Sequence, residues 1–88
     1  MFNFNVKTRT LIVDEANVTT VLAVVNRHCR MTSERRAGNL GWADHPTKWY
    51  VLFNANDKRY ANIIKELQTI GRINVSVRDT FVDLVFEI

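Results

Sequence analysis

Between residues 49 and 70 the apolar side chains change their spacing from every second residue to every third and fourth, and this switch of period governs what the chain can fold into. Trp49, Val51 and Phe53 alternate with Tyr50 and Leu52, so both sides of this run are apolar, as in a central strand covered on both faces. Asn56 or Asp57 then offers a helix N-cap. Tyr60, Ile63, Ile64, Leu67 and Ile70 form one apolar stripe that stops at Gly71, a residue suited to a helix C-terminus. A helix with a single apolar stripe, joined directly to a strand, is expected to lie on a sheet.

The N-terminal part has the same order. Phe2, Phe4, Val6, Thr8 and Thr10 share one side of a run whose other side holds Asn3, Asn5, Lys7 and Arg9, which predicts a strand with one buried face; Leu11, Ile12 and Val13 follow as an apolar block. Asp14 is placed to cap a helix with Glu15 in its first turn. Val18, Val21, Leu22, Val25 and Cys29 recur along one face to about Arg30. Val and Thr are weak helix formers, so this helix depends on tertiary burial of its stripe.

Residues 31–47 carry Gly38, Gly41 and Pro46 among polar neighbours and read mostly as loop, with a short strand possible around 35–42. In the tail, Ile73, Val75 and Val77 hold odd positions, whereas Val82, Leu84, Phe86 and Ile88 hold even ones. A one-residue slip would turn every apolar side chain to the wrong face, so the chain must turn between Arg78 and Thr80, most simply as a hairpin of two antiparallel strands. The expected fold is α+β: two helices side by side on one face of a mainly antiparallel sheet, ferredoxin-like βαββαβ with an extra C-terminal edge strand. The opposite sheet face would be open.

Eighty-eight residues suit one domain, 1–88, because two halves would each approach the size at which a core no longer sustains folding. The core is thin for the same reason. Homodimerisation through edge strands is therefore expected as an alternative, with residues 2–10 and 81–87 each long enough to pair with a copy of itself. Cys29 is the only cysteine, which rules out an internal disulfide and suits a reducing cytoplasm. The first residues have no signal-peptide pattern, and no stretch approaches the roughly 20 apolar residues of a membrane span.

Catalytic, metal and cofactor motifs are absent from the pattern. His28 and Cys29 are adjacent and His45 follows Asp44, but ligand pairs at short spacing are missing. Cys29 falls on the apolar stripe, where a free cysteine acts as a small hydrophobe; His28 would point away from it and His45 sits in a polar loop, so both are expected in solvent. Gly38-Asn39-Leu40-Gly41 lacks the frame of a phosphate-binding loop. Asp79, Asp83 and Glu87 alternate with apolar residues and would line a solvated face. The chain is therefore expected not to be an enzyme.

What stands out is charge. Residues 27–48 hold Arg27, Arg30, Arg35, Arg36 and Lys48 against Glu34 and Asp44, which accounts for the whole formal net charge of +3. A basic segment on a neutral body suggests an anionic partner. Arg27, Arg30, Arg35, Arg36 and Lys48 could hold phosphates while Trp42, Trp49 or Tyr50 stacks on unpaired bases, so single-stranded nucleic acid, RNA above all, is the first expectation. The second is an acidic protein surface met by the same Arg and Trp residues, with Arg35, Arg36, Leu40 and Trp42 as an anchor set. Either suits a small regulatory or accessory protein of the kind found in compact microbial or viral genomes.

Overall fold

Leu11, Ile12 and Val13 are completely buried although successive strand residues face opposite ways, so their strand lies inside a sheet with both faces covered there. The computed structural model describes residues 6–36, 47–78 and 81–88, with backbone alone at 31, 32, 35, 36, 76–78 and 81–83. The elements run β1 (Lys7–Asp14), a 3₁₀ turn (Glu15–Asn17), α1 (Val18–His28), β2 (Met31–Arg36), β3 (Lys48–Ala55), α2 (Asp57–Leu67), β4 (Arg72–Arg78) and β5 (Phe81–Glu87). The five strands form one mixed sheet in the order β2-β3-β1-β5-β4. β1 and β5 are parallel and the other neighbours antiparallel.

The α+β class and the two helices on one sheet face agree with the sequence reading. The strand order does not follow the ferredoxin-like pattern: the extra strand β5 is not at the edge but between β1 and β4, and β4 takes the edge. The residues explain the exchange. β4 alternates Ile73 and Val75 with Arg72 and Asn74, which suits a strand with one polar face. β5 carries apolar residues in both phases, and Phe86 and Val85 are buried on opposite sides of the sheet.

The phase change in the tail is accounted for by pairing. Ile73 registers with Phe86, Val75 with Leu84 and Val77 with Val82, and the pair Arg78 and Phe81 closes the hairpin. The turn at Asp79 and Thr80 lies outside the described residues.

The main core fills the space between the sheet and the helices. Leu11 and Val13 of β1, Val51, Phe53 and Ala55 of β3 and Phe86 of β5 meet Val21, Val24 and Val25 of α1 and Ile63 and Leu67 of α2. On the other face Ile12, Tyr50 and Val85 form a second buried cluster, with Leu52 against it and no helix residue in it. These three register side by side across β3, β1 and β5. The face expected to be open therefore has a buried apolar centre.

Other boundaries differ for local reasons. β1 begins at Lys7; Val6 and Thr8 are exposed, Phe2 and Phe4 lie outside the described residues, and the helix-facing set is Arg9, Leu11 and Val13. β2 occupies Met31–Arg36, earlier than 35–42, because it pairs with β3 as soon as α1 ends. Asp14 makes no side-chain cap hydrogen bond; its Oδ1 meets Lys48 Nζ at 3.1 Å instead. Asn56 does cap α2, accepting from the Arg59 backbone N–H at 2.8 Å. Of the stretches considered for self-pairing, residues 7–10 begin β1 and residues 81–87 form β5, both interior in the strand order, and residues 2–5 lie outside the described residues; the edge strands are β2 and β4.

α2 stops at Leu67, and Gly71 N–H returns to the Leu67 carbonyl at 2.9 Å. A Cβ at Gly71 would overlap the Glu87 carbonyl oxygen and stand 3.0 Å from the Phe86 ring, so glycine is required by the close pass of β5. A backbone oxygen cannot swing aside as a side chain can. Gly71→Ala is expected to destabilise the fold by about 1–3 kcal/mol, seen as a lower urea midpoint with an unchanged slope. An unaltered midpoint would show that β5 yields there.

Candidate partner-binding surface

Among the described residues, the cations of the basic segment are carried by different elements of the fold. Arg27 and His28 end α1 against α2, where both reach Glu66: the Arg27 guanidinium donates to Glu66 Oε2, and His28 Nε2 lies 2.8 Å from Oε1. His28 is thus not the solvent-facing residue its helix position suggested; its side chain is 24% exposed. Its helix position lies off the apolar stripe, and Glu66 of the second helix meets it there. Lys48 is held by Asp14 on the second sheet face, where the adjacent Glu15 N–H also donates to the Thr47 carbonyl at 2.7 Å.

Arg30, just after α1, is exposed and makes no ion pair among the described residues. Arg35 and Arg36 register opposite Tyr50 and Trp49 at the far end of β2, whereas Met31 registers with Phe53. About 13 Å of strand separates these two levels. The fold therefore brings Arg35, Arg36 and Lys48 to one end of the β2–β3 pair and leaves Arg27 and Arg30 near the other.

The aromatic residues are engaged in the cores. Tyr50 is 6% exposed in the second cluster, and Trp49 packs partly buried against the main core. Trp42, Leu40, Asp44, His45 and the Gly38 to Gly41 turn lie outside the described residues.

Cys29 packs against the main core as its stripe position predicts. Burial pushes its thiol up, against the opposing pull of the Arg59 charge, so little thiolate is present near neutral pH. Among the described residues no group of three or more His, Cys, Asp or Glu side chains could hold a metal ion. None of the described helices is long and apolar enough to cross a membrane.

A cation that the sequence reading passed over has a central place. Arg9 Nη2 donates to Asp57 Oδ1 at 2.6 Å, its Nε–H reaches the Ala55 carbonyl at 3.4 Å, and its guanidinium lies 4.4 Å from the Tyr60 ring centroid. These bonds tie the start of α2 to β1 and to the end of β3. The signal was present in the alternation, since Arg9 shares its phase with Leu11 and Val13. No protein-family model, curated protein or solved structure matches this chain.

Burial also pushes the Tyr60 hydroxyl up, opposed by Arg9. Cys29 and Tyr60 are both held neutral by the fold, so the unfolded chain loses these protons at lower pH than the folded one. Stability is complete below the ordinary thiol and phenol values and falls as pH rises through them. The urea midpoint should accordingly fall between about pH 8.5 and pH 11, with Cys29→Ala removing the earlier part of the decline. A midpoint that rises over this range would contradict the assignment.

Proposed function

We propose that this chain is a non-catalytic binding module that docks on an anionic protein surface through Arg30, Arg35 and Arg36, with Trp42 as the apolar anchor suggested by its place in the sequence. The observation that carries this reading is the position of the aromatic rings. Stacking on unpaired bases needs exposed rings, and of the candidate rings that are described Tyr50 is buried in the second core and Trp49 is partly buried against the main one, which leaves little ring surface for a base. Arginine at the rim of an interface needs no such platform: it pairs with carboxylates and raises the rate of encounter with an acidic surface.

Arg27 and Lys48 are given a lesser part, because Glu66 and Asp14 already neutralise them. The edge position of β2 adds support, since it leaves one side of the strand bearing Arg35 and Arg36 unpaired by any described strand. Single-stranded nucleic acid, held by its phosphates on the same arginines, is the competing outcome.

The test is fluorescence anisotropy against a labelled Asp/Glu-rich helical peptide, single-stranded RNA, single-stranded DNA and duplex DNA, each at low and near-physiological salt. The expected result is binding of the acidic peptide, weakened about tenfold in the Arg35→Ala, Arg36→Ala double variant as two charge-assisted bonds are lost. The melting temperature should stay nearly constant. Trp42→Ala should weaken the same binding. Preference for a nucleic acid, with affinity falling about 0.7 log units per log unit of salt for each single-strand phosphate, would assign the other class. Unfolding of the double variant would make the arginines structural.

A further inference from the structure

The edges of the sheet differ. β2 has a register shift between Met31 and Ser33, an irregularity of the kind that blunts an edge against further pairing. β4 has none: its seven residues pair with β5 without interruption from Arg72 and Glu87 to Arg78 and Phe81. Its outer side is a regular ladder of backbone donors and acceptors with no described strand beyond it.

Apolar surface gathers at the same edge. Ile73 packs against the main core, but Val75, in the same phase of the strand, is 65% exposed. Ile88, which follows the β5 residue opposite Arg72, is 70% exposed, and Ile70 between α2 and β4 is exposed as well. The other phase of β4 in sequence is Arg72, Asn74, Ser76 and Arg78, with an arginine at each end of the strand. Arg72 is exposed and makes no ion pair among the described residues, although Glu87 registers opposite it.

This pattern selects against a second copy. Arg-Ile-Asn-Val-Ser-Val-Arg is nearly symmetric about Val75, so full antiparallel self-pairing would set Arg72 against Arg78 of the other copy at both ends. Shifting by two residues still leaves these arginines diagonal neighbours. Like charges directly opposite in a ladder are destabilising. A strand with carboxylates at those two positions would turn both repulsions into attractions while its alternate apolar residues cover Val75 and its neighbour Ile73.

We infer that the β4 edge is a strand-addition site for an extended segment of a partner protein, acidic at both ends of a seven-residue span with apolar residues at alternate positions between. Backbone bonds supply affinity, and the two arginines supply selectivity. The site lies at the opposite edge of the sheet from β2, and it does not depend on the reading given for Arg30, Arg35 and Arg36.

The probe is a labelled peptide, Glu-Val-Thr-Val-Thr-Val-Glu, whose symmetry lets it add in either direction. It is compared with its counterpart ending in Lys at both ends and with a Glu-ended version N-methylated at alternate residues. Anisotropy should show the Glu-ended peptide binding about tenfold or more tighter than the Lys-ended one, as two cross-strand charge pairs change sign. N-methylation should abolish binding, and the Arg72→Glu, Arg78→Glu double variant should reverse the preference. Arg35→Ala with Arg36→Ala should leave it unchanged, which separates this site from the β2 arginines. Equal binding of both charged peptides, survival of binding after N-methylation, or a protein dimer that the Glu-ended peptide dissociates would each overturn the inference.

Discussion

The parallel pairing of β5 with β1 is the constraint on which the rest of this fold depends. Leu11, Ile12 and Val13 register with Leu84, Val85 and Phe86, and this short ladder supplies both cores at once. Phe86 joins Leu11 and Val13 under the helices, whereas Val85 joins Ile12 and Tyr50 on the other face. Had β4 stood beside β1, the residues in its polar phase would be Arg72, Asn74, Ser76 and Arg78. None of these could complete the second cluster without burying polar atoms. The hairpin therefore returns inward after α2, and β4 is left outside.

Much of this was legible in the residues, and the misplaced parts have identifiable causes. The stripe from Tyr60 to Ile70, the two-sided run over Trp49 to Phe53 and the phase change after Val77 each mark their element because the period is local. The order of the last two strands depends on which is apolar in both phases. Val85 carries that information, but as one odd-position residue among the even-position Val82, Leu84, Phe86 and Ile88 it is a weak signal. β2 has almost no apolar alternation, since Met31, Thr32, Ser33, Glu34, Arg35 and Arg36 are mostly polar, and only its partner β3 makes it a strand. Contacts between elements were less legible still. Nothing local to His28 or Arg27 points to Glu66, which lies 38 residues beyond His28.

The charge pattern along the chain and the charge pattern in space are different quantities here. Residues 27–48 carry the whole net charge, yet two of their cations are held by Asp14 and Glu66, which lie outside the segment. The neutral remainder is neutral only in sum. Arg72 and Arg78 stand at the two ends of an edge strand, and Arg9 is drawn under α2 by Asp57 and Tyr60. A net charge of zero over a stretch of sequence therefore does not mark that stretch as inert. Exposed ion pairs such as Arg27 with Glu66 contribute little to stability, but they reduce the cations available to a partner.

Size links the core to the proposed recognition surface. A chain of 88 residues buries a small fraction of its unfolded surface compared with larger domains, and each large aromatic residue it places inside matters to its stability. Phe53, Phe86 and Tyr50 are buried, and Tyr60 has the Phe53 ring 6.3 Å from its own and the Arg9 guanidinium over its face. Side chains committed in this way cannot also be offered to a ligand without weakening the fold. What remains among the described residues is mainly backbone at the sheet edges and long cationic residues in or beside the edge strands, groups that contribute little to the interior. A domain of this kind can recognise a partner through edges and charge at small cost to its own stability, and the polar, arginine-bearing sequences of β2 and β4 occupy the two places in the sheet where that is possible.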